Sequence, residues 1–236
     1  MAKAQLIIAL DFAEKAAALK LIDELDGVCD FFKIGMELGL RVDDEFISGL
    51  VKRGKKIFLD YKYHDIGNTV EKAVKNAADL GVYMLTVHAE EQVLQAAVAG
   101  AKGTTTKVFG VTVLTSLGED YAKQYGCSVE ELVLRRAGYA AEAGANGVIS
   151  SPQEAAKIRA KFPELEICTP GIRPAGSDKG DQNRTATPAE AIKAGANYLV
   201  VGRPITQAEN PKQAALQILA EINSASQKRQ SQSKLR

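Results

Sequence analysis

Eight short apolar runs punctuate the chain, and each is followed by a longer segment whose apolar residues recur at helical spacing. No other feature constrains the fold as tightly. The runs are LIIAL at 6–10, FFKIG at 31–35, KIFLD at 56–60, YMLTVH at 83–88, KVFGVTV at 107–113, GVIS at 147–150, EICTP at 166–170 and YLVVG at 198–202. Segments 13–26, 43–53, 67–80, 90–101, 128–144, 152–161, 187–194 and 210–224 read as the helices between them. A strand that is apolar at nearly every position is covered on both faces, as in a parallel sheet under helices. Eight such units in 236 residues match the count and length of a single-domain α/β fold, the (β/α)8 TIM barrel. A doubly wound open sheet is the competing arrangement. The stretches DLGVYM, EAGANGV and KAGANYL each place a glycine just past a helix, where a left-handed cap is needed.

Composition then narrows the partners. A hydrophobic fraction of 46% is enough for a sizeable core, and 30 basic residues nearly cancel 29 acidic ones. That balance gives no overall field for a nucleic acid or a membrane surface, although local anion sites remain open. The opening MAKAQLIIALDF is too short for a signal core, and no 18-residue apolar run exists. A soluble, cytoplasmic protein is expected. Cys29, Cys127 and Cys168 are widely spaced and form no CxxC, so they read as reduced core thiols. His64 and His88 have no second His or Cys at ligand spacing, which argues against a zinc reading. His64 reads as a structural neighbour and His88 as a supporting group. The barrel is expected over 1–224, and the polar residues 225–236 as a frayed, disordered tail.

Chemistry in such a barrel sits at the C-terminal ends of the strands. Asp11, Lys33, Asp60, Lys62, His88, Thr115 and Ser116 all fall there. Strand alternation places Phe58, Asp60 and Lys62 on one face. Asp65 follows just before a helix, so an acid–base–acid array of Asp60, Lys62 and Asp65 is expected, extended by Lys33 from the neighbouring strand. A structural ion-pair network at the rim is the plainer reading of the same residues. The last strand runs into Gly202 and Arg203, where a backbone without Cβ and a planar fork of donors suit a phosphate. The sixteen residues from Gly171 to Ala186, which include Arg173 and Gln182, are too long for a plain connection and read as an anion-gripping lid.

FLDYKYHDIGNT resembles the signature of the orotidine 5′-monophosphate decarboxylase family, with Asp60, Lys62 and Asp65 at the spacing of its aspartate–lysine–aspartate motif. IALD at 8–11, FKIG at 32–35, VTVLTS at 111–116, TPGIRP at 169–174, GDQ at 180–182 and VGRPI at 201–205 are similar to the bacterial branch, so the resemblance spans about residues 6–222. It implies decarboxylation of orotidine 5′-monophosphate to uridine 5′-monophosphate, with neither metal nor organic cofactor. Asp11 and Lys33 would contact the ribose hydroxyls, Asp60 would sit against the substrate carboxylate, and Lys62 would be the proton donor. Asp65 and Thr69 would reach into the neighbouring subunit's site, making a homodimer. Thr115 or Ser116 would touch the pyrimidine, Gln182 would bridge base and phosphate, and Arg203 with the Gly202 backbone would hold the phosphate, near Arg173.

Magnesium-dependent sugar-phosphate enzymes of the same superfamily share the motif but carry a glutamate where this chain has Lys33. A cation there repels a divalent metal beside Asp60. Two further readings compete. A Schiff-base aldolase would need a neutral Lys62, which two flanking acids oppose. A non-catalytic phosphate-binding barrel would bind pyrimidine nucleotides without consuming them.

Overall fold

The computed structural model describes residues 3–175 and 184–233. The strands are β1 (Gln5–Ala9), β2 (Phe31–Gly35), β3 (Lys56–Tyr63), β4 (Met84–His88), β5 (Lys107–Val111), β6 (Gly147–Ile149), β7 (Glu166–Thr169) and β8 (Tyr198–Val201). They close into one parallel barrel in chain order, with Gln5 opposite Tyr198 and Ile8 opposite Val201 at the seam. Closure excludes the open sheet. The single-domain TIM barrel read from the alternation is what forms.

The helices among the described residues are α1 (Lys15–Glu24), α2 (Met36–Gly39), α3 (Asp44–Lys52), α4 (Gly67–Asp79), α5 (Glu91–Ala101), α6 (Glu119–Lys123), α7 (Val129–Glu142), α8 (Pro152–Lys161), α9 (Pro188–Ala194), α10 (Arg203–Thr206) and α11 (Pro211–Ser233). Eight correspond to the expected segments. The short α2, α6 and α10 are additional, and each lies in a connection leaving the C-terminal end of a strand. At four or five residues they carry too little periodicity to be read from sequence. Local chemistry sets the helix ends. Ser128 with Glu131, and Thr187 with Glu190, form capping boxes that satisfy the first amides of α7 and α9. Gly81 and Gly144 take φ of 79° and 75° just past α4 and α7, in the left-handed region foreseen for them.

The two ends of the barrel differ. The N-terminal end is closed by aromatic rings. Phe31 meets Tyr83 and Tyr198 edge-on at 5.0 and 5.9 Å, and Phe109 meets Tyr198 at 5.8 Å. Each such pair adds about 0.5–1.5 kcal/mol beyond the area it buries. The C-terminal end opens into a cavity walled by Phe58, Val111, Ile149 and Val200.

Two expectations need correction. Residues 225–233 continue α11 instead of fraying. Arg229 donates from Nη1 to the carbonyls of Ile192 and Ala196 at 3.0 Å each, which ties this polar stretch to the end of α9. A composition without apolar period conceals that anchor. Cys29 and Cys168 are buried as foreseen, and burial pushes the Cys29 thiol up to about 11 and the Cys168 thiol well above the ordinary range. Cys127 is only half-buried against the core rather than within it.

Candidate active site

β3 positions the central pair. Its ladder with β4 runs normally to Leu59 opposite Leu85, then resumes at Tyr63 opposite Val87. The three residues between, Asp60 to Lys62, therefore face a single residue of β4, Thr86. Lys62 takes φ 51°, the one non-glycine residue in the left-handed region among those described. Such a backbone costs a lysine on the order of 1–3 kcal/mol and persists only where the surroundings impose it. Alternation alone predicted Asp60 and Lys62 on one face. They do meet, through an irregularity that alternation does not contain.

A chain of charges results. Lys62 Nζ lies 2.9 Å from Asp60 Oδ1, Lys33 Nζ lies 3.6 Å from Asp60 Oδ2, and Lys33 Nζ donates to Asp11 Oδ1 at 2.9 Å. Gly35 makes room for this, since a Cβ there would stand 2.9 Å from Lys33 Nζ. Asp60 and Lys33 are the members largely withdrawn from water, with 15% and 11% of their side chains exposed. Burial pushes the Asp60 carboxyl up, but the ammonium groups of Lys33 and Lys62 and the donors Lys62 and Thr86 outweigh burial. They hold it below the ordinary carboxylate value. An ionised carboxylate thus sits between two cations at the edge of the cavity. Lys33, Asp60, Lys62 and Thr115 all line that cavity.

The other expected residues divide. Thr115 faces the cavity, whereas Ser116 is exposed. Gly202 caps α10, its carbonyl accepting from the amides of Ile205 and Thr206, and Arg203 is exposed beside it. Arg173, expected on the lid, is 8% exposed and donates from Nη1 to its neighbour Ile172 O. A bridge between Ile172 and Ala186, with Arg173 N–H donating to Ala186 O, draws the ends of that loop together. Gln182 lies outside the described residues. Asp65 and Thr69 are exposed on this chain. Asp65 accepts from the Ile66 amide at 2.7 Å and makes no ion pair with Lys62, so one chain does not assemble the expected triplet. The His88 and His64 rings pack tilted by 37° at 4.9 Å, and His64 Nε2 lies 3.1 Å from Glu90.

Two residues of the site were missed in the sequence. Thr86 is fully buried, donates to Asp60 Oδ1 at 2.9 Å and accepts the Lys62 amide at 3.0 Å. Its signal was a lone hydroxyl in the apolar run YMLTVH. Arg184 pairs with Glu154 and donates to the carbonyls of Leu114, Thr115 and Leu117, fixing the loop that carries Thr115. Nothing in its local sequence marked it. Among the described residues no three His, Cys, Asp or Glu side chains stand together as a metal site.

A closed parallel barrel with a buried carboxylate held between two lysines at its open mouth belongs to the TIM-barrel enzymes. Over residues 4–218 the chain matches the Orotidine 5'-phosphate decarboxylase / HUMPS family, and it belongs to that family. It is 47% identical over 228 residues to the Orotidine 5'-phosphate decarboxylase of Nitrobacter winogradskyi, covering 95% of each chain. It is 49% identical over 227 residues to that of Methylobacterium nodulans, covering 94% of this chain and 96% of the relative. The crystal structure of Orotidine 5'-phosphate decarboxylase from Lactobacillus acidophilus superposes with a TM-score of 0.83 at 37% identity, over 93% of this chain and 99% of that one.

Proposed function

We propose that this chain decarboxylates orotidine 5′-monophosphate to uridine 5′-monophosphate, with Lys62 delivering a proton to C6 as CO2 leaves. The observation that carries the reading is the Lys62 ammonium, 2.9 Å from a buried, ionised Asp60 and facing the cavity, in a chain of this family. Loss of CO2 leaves an sp2 carbanion that no adjacent carbonyl fully delocalises. A fixed cation with a transferable proton stabilises charge where it develops, without reorganisation at the moment of reaction.

Asp60 beside the substrate carboxylate adds like-charge stress that departure of CO2 relieves. Two unit charges ~4 Å apart interact by about 4 kcal/mol at an effective dielectric of ~20. Enzymatic accelerations need on the order of 8–23 kcal/mol, so stress is a minor part. Carbanion stabilisation supplies the rest, together with remote binding of ribose by Asp11 and Lys33 and of phosphate by Arg203 and the Gly202 backbone. Thr115 suits the pyrimidine better than Ser116, since it faces the cavity. Gln182 as a bridge from base to phosphate, and Arg173 near the phosphate, belong to the same reading.

The family name also covers a HUMPS branch. Lys33 argues for the nucleotide reaction, because its ammonium stands 3.6 Å from Asp60 where a divalent cation would otherwise be drawn. Neither metal nor organic cofactor enters this mechanism. No helix among the described residues is long and apolar enough to cross a membrane, which accords with work in the cytoplasm.

The exposure of Asp65 and Thr69 supports a homodimer in which each enters the partner's site, with no nucleic acid or membrane involved. The decisive measurement follows orotidylate absorbance with purified protein, with and without EDTA. Consumption unaffected by chelation is expected; tight nucleotide binding without consumption would leave only a binding barrel. Mixing inactive Lys62→Ala and Asp65→Ala proteins should restore up to about a quarter of wild-type activity if sites are shared, because randomly reassorted pairs then include one intact site. No recovery after confirmed subunit exchange would place each site within one chain.

A further inference from the structure

Where β3 bulges, the amide of Lys62 loses its place in the ladder with β4, and a half-buried N–H must find another acceptor. Thr86 supplies it. Its Oγ1 accepts the Lys62 amide at 3.0 Å, so its own proton is directed elsewhere, onto Asp60 Oδ1 at 2.9 Å. Asp60 Oδ1 is the same oxygen that Lys62 Nζ approaches to 2.9 Å. One hydroxyl therefore touches both the backbone that aims the lysine and the carboxylate that anchors it. Thr86 is fully buried, so water does not substitute.

We propose that Thr86 is a positioning residue for the decarboxylation: it holds Lys62 in its left-handed backbone and fixes the Asp60 oxygen against which the ammonium rests. The inference deepens the function proposed above and rests on it for its kinetic consequence. Its geometric content stands alone. The hydroxyl works only in one direction, accepting from an amide that has no other use and donating to a carboxylate that has no proton. Valine has nearly the same shape and does neither. It strands a half-buried amide and removes one donor from Asp60, leaving Lys33 and Lys62 as the cations facing that carboxylate, with the Cys168 thiol near enough to feel its charge.

Three variants test this: Thr86→Val, Thr86→Ser and Thr86→Cys. Thr86→Val should lower kcat by about 10–100-fold, the scale of a misaligned reacting group, while KM for orotidylate moves less than about threefold. Thr86→Ser keeps the hydroxyl and should recover most of kcat. Thr86→Cys, a weaker donor and acceptor, should fall between and serves where the valine protein does not fold. A carboxyl 13C titration of Asp60 gives a readout independent of turnover, and loss of the hydroxyl should move its midpoint upward. A Thr86→Val kcat within threefold of wild type, or a serine variant as impaired as valine, would overturn the role. Unchanged Asp60 titration would overturn it too, even if the wild-type protein consumes no orotidylate, a result that separately ends the functional reading.

Discussion

The barrel holds acid–lysine clusters at both ends, and they are built differently. At the floor, Lys55 is clasped by Asp26 and Asp30 at 2.5 Å each, with the lysine side chain 4% exposed and the acids 70% and 58% exposed. Nearby, Lys107 meets both oxygens of Glu166 at 2.8 and 2.7 Å and the Tyr198 hydroxyl at 3.0 Å, under the aromatic plug. At the mouth the carboxylate is withdrawn from water as well, Asp60 lying about as deep as Lys33, and it is shared by two lysines, one on a strained backbone and both facing a cavity. The floor clusters pair each cation with acids that also reach water. Charge pairing at a barrel rim is therefore no mark of function by itself. A buried acid, a strained neighbour and open space together are.

That contrast can be broken by substitution. The largest effect is expected at the mouth, where Lys62→Ala should lower kcat by at least about 1,000-fold with little change in melting temperature. A folded variant retaining more than about a tenth of the activity would take the proton-donor role from Lys62. Arg203→Ala should lower kcat/KM by tenfold or more, about 1.4 kcal/mol of transition-state binding. A smaller loss would move the phosphate elsewhere. At the floor the sign of the experiment reverses. Lys107→Met leaves Glu166 half-buried without its cation and should cost about 1–3 kcal/mol of stability. Activity per folded molecule should stay within twofold, and a tenfold drop in kcat would erase the distinction between the two ends.

The smallest effect concerns His88, beside the mouth. Burial, then the His64 ring and Arg136, hold it below the ordinary value of 6.5. As pH falls through 6.5 the unfolded chain takes up the proton first, so stability declines until the folded value is passed and then levels. Thermal melts of His88→Gln across that window should lose this slope. An identical slope in the variant would assign it to other groups.

Much of this was legible in one dimension. The eight apolar runs needed only near-neighbour periodicity, and β2 was bounded correctly because Gly35 ends it. The clustering of Asp11, Lys33, Asp60 and Lys62 was legible because polar side chains ending apolar runs stand out against them. Arg173 was read as part of a lid, and its burial was not legible, because the Ile172–Ala186 bridge that draws its loop in joins residues 14 positions apart. Residues 225–233 misled, since one arginine holding two carbonyls orders a stretch that lacks an apolar stripe.

The order of residues alone determined eight alternating strand–helix units and the strand ends at which the charged residues gather, because alternation and strand polarity are properties of consecutive residues, while closure of the sheet was left to the fold. Only the folded chain decided how the lysine is aimed. The acceptor for the Lys62 amide comes from 24 positions away, across a bulge that no local period announces. Which side chain relieves a broken ladder is settled by what the neighbouring strand presents there, and that is a fact of three dimensions.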